Sequence, residues 1–115
     1  MPQPSIFTRI MNGELESDIV YEDDSVIAIR DINPKAPIHI LIVPREPLVS
    51  VNDFNDDNVV IAGQMLVAAA KVAKQFGLDK SGYRLVINNG FEGGQEIQHV
   101  HMHLLGGRRL GWPPG

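Results

Sequence analysis

The segment Gln98-His99-Val100-His101-Met102-His103-Leu104-Leu105 places a histidine at every second position. The chain has only four histidines, and three of them sit here. Side chains alternate between the two faces of an extended strand. His99, His101 and His103 are therefore expected on one face, roughly 6–7 Å apart along the chain. Val100, Met102 and Leu104 are expected on the other, against a core. Three readings of such a row compete. It can be a set of exposed surface histidines. It can be a zinc site, since two histidines two apart on a strand can share a metal; no carboxylate lies close in sequence to complete a metal mechanism. Or it can be a nucleophilic centre, because a neutral imidazole with an ordinary pKa near 6.5 attacks well at neutral pH. Its other ring nitrogen must then hold a proton against an acceptor, and neighbouring histidines can move protons.

Just upstream lies Gly93-Gly94-Gln95. Glycines let backbone N–H groups approach a phosphate closely, and a Gly-Gly pair beside three histidines reads as a phosphate cradle next to a nucleophile. Taken alone, the pair is an ordinary turn signal.

These residues need elements to position them. Ser5 is a helix cap before Ile6, Phe7 and Ile10, in a short helix stopping near Asn12-Gly13. Strands are expected over residues 19–21 and 26–30, with the acidic turn Glu22-Asp23-Asp24 between them. Pro34 and Pro37 make their segment a loop. Residues 38–43 read as a central strand, apolar except for His39, which is either a satisfied core histidine or a functional one. A long helix is expected over residues 56–76, capped by Asn55 and ended by Gly77. It carries one apolar stripe (Ile61, Met65, Ala68, Val72, Phe76) and a second (Val59, Ala62, Leu66, Ala69, Ala73). So wide a face exceeds what one sheet covers, and predicts that the helix also joins a homodimer. Two last strands are expected, over residues 83–88 and 97–105. The order and short connections predict an α+β domain: a five-stranded antiparallel sheet, one long and one short helix, with the sheet continued across a homodimer.

Bulk composition limits the function classes. A length of 115 residues fits one domain. A formal net charge of −4 argues against a sequence-independent grip on nucleic acid. The absence of cysteine excludes disulfides and thiolate zinc sites. The most apolar run, residues 59–70, is too short for a membrane span and is followed by Lys71. The start of the chain lacks a secretory pattern, so the expected setting is the cytoplasm.

The run His99-Val100-His101-Met102-His103-Leu104-Leu105 resembles the signature of the histidine triad (HIT) superfamily. Ser5-Ile6-Phe7, Asp31 through Pro37 leading into His39, Gly93-Gly94-Gln95, and Gly106-Gly107-Arg108 with the ending Trp112-Pro113-Pro114-Gly115 make the chain similar to the histidine triad nucleotide-binding (Hint) branch. The resemblance implies a metal-independent, cofactor-free purine nucleoside phosphoramidase. It implies that His101 attacks the α-phosphorus of an adenosine or guanosine phosphoramidate, or of an acyl or aminoacyl adenylate. The covalent nucleotidyl-histidine is then hydrolysed to AMP or GMP. It further implies that the His99 carbonyl holds the Nδ1 proton of His101, that His39 stands beside His99 in a relay, and that His103 serves phosphate and leaving group. Asp31 matches the ribose ligand. Ile6, Phe7, Ile10, Ile29 and Ile32 match the purine slot, and Asn88, Gly94 and Gln95 match phosphate-side positions. Glu96 falls where many relatives carry serine; its backbone N–H is expected to face the phosphate while its side chain turns outward. Trp112 belongs to a tail that approaches the partner subunit's site. The competing functions are a nucleotide-responsive binding module with incidental hydrolysis and a three-histidine zinc protein.

Overall fold

A computed structural model describes residues 3–115. The chain runs α1 (Ile6–Met11), β1 (Ile19–Glu22), β2 (Val26–Arg30), β3 (Ile38–Pro44), a 3-10 turn (Val51–Asp53), α2 (Val59–Gln75), α3 (Leu78–Ser81), β4 (Tyr83–Val86), α4 (Gly90–Gly93) and β5 (Met102–Gly106). The five strands form one antiparallel sheet in the order β1-β2-β3-β5-β4. The α+β class and the sheet are as expected. The helical content differs: α3 and α4 are single turns bounded by glycines, additional to the one long and one short helix expected.

The pleat divides the sheet into two unlike faces. Val26, Ala28, Ile40, Ile42, Met102 and Leu104 point to one side, where α2 covers them with Met65, Ala68, Ala69, Val72 and Ala73. The apolar half of the histidine segment is thus core. The opposite face carries Ile27 and Ile29 of β2 and Leu41 and Val43 of β3, which α1 covers with Phe7 and Ile10. Leu41 pairs with His103, His39 with Leu105, and Val86 with His103, so the remainder of this face is the wall on which the site is built.

Three boundaries depart from the sequence reading. Helix α2 starts at Val59, with Asn58 at its cap position. Asn55 instead turns its side-chain oxygen onto the N–H groups of Asp57 and Asn58, closing a local turn that competes with helix. Strand β4 stops at Val86 rather than residue 88. Strand β5 starts at Met102, whose partner is Ile42. Residues 97–101 are therefore not paired strand, and only His103 of the three histidines lies on the ladder. At its other end β5 is followed by Gly107, whose φ of +93° and closeness to Pro37 (a Cβ would meet that ring at 2.7 Å) leave room for glycine alone. This contact packs the loop carrying Asp31 and Lys35 against the end of β5.

Helix α2 has the predicted width of apolar surface. Its Val59, Val60, Leu66 and Val67 stay 59%, 67%, 53% and 55% exposed in the single chain. No helix among the described residues is long and apolar enough to cross a membrane.

Candidate active site

Each histidine is held by a specific partner, and the partners fix where the protons sit. A neutral imidazole carries one N–H, and a carbonyl can only accept. The Nε2 of His99 lies 2.8 Å from the carbonyl of Pro44, so the ring proton is there. Its Nδ1 is then an acceptor, and the Ser5 hydroxyl donates to it at 2.6 Å. The carbonyl of His99 accepts from Nδ1 of His101 at 2.9 Å. Neutral His101 therefore presents an Nε2 lone pair.

The second chain of bonds has the opposite polarity. The backbone N–H of Lys35 donates to Nδ1 of His39 at 3.0 Å, so His39 carries its proton on Nε2. That proton is directed at Nδ1 of His103, 2.8 Å away, with an Asp31 carboxylate oxygen at 3.4 Å. His103 is left with its N–H on Nε2. The rings of His101 and His103 stand with centroids 5.1 Å apart. One offers a lone pair, the other a proton.

Burial favours the neutral form of His39, His99 and His103. It pushes the His103 pKa down to about 4, helped by His101 and His39 and opposed by Asp31. It also lowers His39, against the pull of Asp31, and lowers His99, against the Pro44 carbonyl. Phe7 supplies part of this apolar surrounding, with its ring edge-on to His99 and His101 at centroid distances of 5.7 and 5.1 Å.

A cleft of about 820 Å³ opens over the pair. His39, His101, His103, Asp31, Asn88, Gly94 and Glu96 all line it. Lys35, Arg84 and Arg108 also line it, which the sequence did not single out; their positive charge locally opposes the net negative charge of the chain. The volume lies in the range of small-ligand sites.

Several expected placements need correction. His39 stands beside His103 rather than His99, because β3 and β5 put Leu41 opposite His103 and bring His39 in diagonally. Gln95 is a brace: its Oε1 accepts from the Gly90 N–H and its Nε2 donates to the carbonyls of Val49 and Ile97. The N–H groups of Gly94 and Gln95 already donate to Phe91 and Gly90, so those two amides do not form a free phosphate cradle. Glu96 is exposed on the cleft wall. Phe7, Ile10 and Ile29 are buried in the small core under the histidines and do not line the cleft. Ile6 and Ile32 are exposed, at 46% and 89%, and lie outside the cleft lining as well. Trp112 is 81% exposed, with the Arg84 guanidinium 5.8 Å from its ring. The tail places Leu110, Pro114 and Gly115 on the cleft of its own chain.

Asp31, His39 and His103 each bring one donor atom within 4.8 Å of the others, a spacing that could hold a metal ion. The hydrogen bonds do not fit one. Nδ1 of His39 is occupied by the Lys35 N–H, so the neutral ring offers an N–H, not a lone pair, toward that spot.

These depressed histidines make stability depend on acid. The unfolded chain binds protons near the ordinary value of 6.5, and the folded chain holds them off, for His103 until about 4. The unfolded state therefore binds more protons in this window, and stability falls as pH is lowered through it. The urea midpoint is expected to drop between pH 6.5 and 4, and the drop is expected to shrink in His103→Asn. A midpoint flat with pH in the wild type contradicts the burial argument.

Residues 12–110 match the family described as HIT domain. The chain is 50% identical over 111 residues to "Purine nucleoside phosphoramidase" of Escherichia coli (strain K12), covering 96% of this chain and 93% of that protein. It is 49% identical to a "14 kDa zinc-binding protein" of Zea mays, covering 97% of this chain and 88% of the other. It superposes on the crystal structure of a HIT family hydrolase from Legionella pneumophila with a TM-score of 0.94 and 46% identity, covering 97% of this chain and all of that one. A shared fold, a full-length match and identity at this level assign the chain: it belongs to the HIT domain family.

Proposed function

We propose that the protein is a purine nucleoside phosphoramidase, hydrolysing P–N bonds of adenosine or guanosine 5′-phosphoramidates and related acyl or aminoacyl adenylates. The observation that carries this reading is the opposed polarity of His101 and His103 in one cleft. The curated Escherichia coli relative bearing that activity in its name supports it.

In this mechanism Nε2 of His101 forms a bond to the α-phosphorus. The P–N bond breaks and its electron pair leaves on nitrogen. His103 faces the same phosphate with Nε2–H. An anionic phosphate opposes the burial that keeps His103 neutral, so with substrate bound it can take up a proton from solvent and pass it to the departing amine. Water then displaces His101 from phosphorus, its released proton returning to solvent through the cleft, and gives the nucleoside monophosphate and the free neutral imidazole. Asp31 is the carboxylate placed to accept from ribose hydroxyls; the exposed Ile6 and Ile32 are the apolar side chains left for the purine beyond the cleft lining, and Phe7, Ile10 and Ile29 form the packed layer beneath the histidines. Asn88, Gly94 and the Glu96 backbone lie toward the phosphate. Gln95 acts by bracing this loop. No step draws on a metal or cofactor.

The working unit in this reading is a homodimer. The exposed valines and Leu66 of α2 and the unpaired edge of β4 are the surfaces offered for it. In a dimer Trp112 can approach the neighbouring cleft and select leaving groups.

Three measurements test these statements. His101→Asn is expected to abolish amine release from adenosine 5′-phosphoramidate while AMP still binds, and wild-type activity is expected to survive strong chelators. Turnover by the variant, or loss on chelation with recovery by zinc, overturns the reading. Leu66→Glu is expected to shift the protein to monomer in sedimentation; a wild-type monomer, or an unchanged dimer in the variant, counts against this interface.

A further inference from the structure

The side chain of His99 is fully buried and does not line the cleft, so it does not act on substrate directly. Its position nonetheless matters, because its carbonyl holds the proton of His101. The sheet cannot fix that carbonyl. The β3–β5 ladder ends at the Ile42–Met102 pair, and His99 and His101 lie beyond it. One backbone bond holds the intervening residue, from the Val100 N–H to Leu48. The remaining ties are made by the His99 ring: Nε2 to Pro44 at the end of β3, Nδ1 to Ser5 at the start of α1.

Ser5 has two tasks at once. Its Oγ accepts the Thr8 N–H at 3.0 Å, which caps α1; of the two acceptors in reach of its single proton, His99 Nδ1 at 2.6 Å is nearer than Thr8 Oγ1 at 3.3 Å and takes it. We propose that Ser5 is a positioning residue for the His101 nucleophile, acting through the His99 ring to hold the His99 carbonyl in place. Helix α1 is thereby tied to the reacting nitrogen through Ser5 Oγ, the His99 ring and the His99 carbonyl. Donation from Ser5 also excludes the His99 tautomer that would break the Pro44 bond. Without that donor the ring loses one of its two anchors, and the His101 Nδ1–H loses a fixed acceptor.

This inference rests on the reading of His101 as nucleophile, and its test separates the two. Ser5→Gly removes the hydroxyl while disturbing the helix start little, since glycine is a fair N-cap. Ser5→Thr keeps both the cap and the donor. With adenosine 5′-phosphoramidate as substrate, Ser5→Gly is expected to lower kcat about 10- to 100-fold, the scale of small displacements at a reacting centre. KM is expected to stay close to wild type, the melting temperature is expected to fall by about a few degrees because His99 Nδ1 loses its donor, and Ser5→Thr is expected to recover most of both losses. Ring ¹⁵N NMR gives an arm independent of turnover. In the wild type His99 is expected to carry its proton on Nε2, and in Ser5→Gly the His101 Nδ1–H signal is expected to shift and exchange faster. Wild-type kcat in Ser5→Gly, unchanged His101 ring signals, or a wild-type His99 protonated on Nδ1 each overturns the proposal. An inert wild type counts against the functional reading alone, and the ring signals still decide the role of Ser5.

Discussion

A neutral imidazole has one proton to place, and in this protein the backbone places it directly in three of the four rings, with His39 placing it in the fourth. Carbonyls of Pro44 and His99 can only accept, and the N–H of Lys35 can only donate. Those fixed roles propagate through the rings as two chains of hydrogen bonds. One ends in a lone pair on His101, the other in an N–H on His103. The pair becomes chemically unequal without any charge being installed. In the second chain, breaking the Lys35 contact at the far end removes the polarity of His103; in the first, the His99 carbonyl itself sets His101, and the ring bonds of His99 hold that carbonyl in place.

The rest of the fold serves this arrangement. The central strands set His39 and His103 close enough to bond, and the cluster around Phe7, Leu41 and Val43 excludes water from one side of the row. Low local polarity strengthens the hydrogen bonds and penalises protonation, and both effects preserve the tautomers. It also makes an unsatisfied polar group costly, by about 1–3 kcal/mol. Among the described residues no buried side-chain nitrogen or oxygen lacks a partner. The site is thus rigid because it is polar and buried together, and the cleft it faces is lined by Lys35, Arg84 and Arg108 on its open side.

Much of this was legible in the residues. Alternation separated Val100, Met102 and Leu104 from the histidines, but burial does not follow that division, since His99 and His101 are buried as well. Ser5 was readable as a cap, Gly77 as a helix stop at φ +75°, and His39 as an anomaly in an apolar strand. What stayed hidden depends on the third dimension. Strand register decides that His39 meets His103 and not His99. The start of β5 depends on where β3 runs out of partners, which no local pattern in residues 97–101 announces. Gln95 matches a phosphate-side position in the family resemblance, yet its three bonds stabilise the loop. The double role of Ser5 is invisible because its partner is 94 positions away.

The central claim is the protonation pattern, and ring ¹⁵N–¹H correlation spectra of the wild type at pH 7 report it directly. The account predicts His101 protonated on Nδ1 with a free Nε2, and His39 and His103 protonated on Nε2. His101 carrying its proton on Nε2, or His103 carrying its proton on Nδ1 alone, contradicts it.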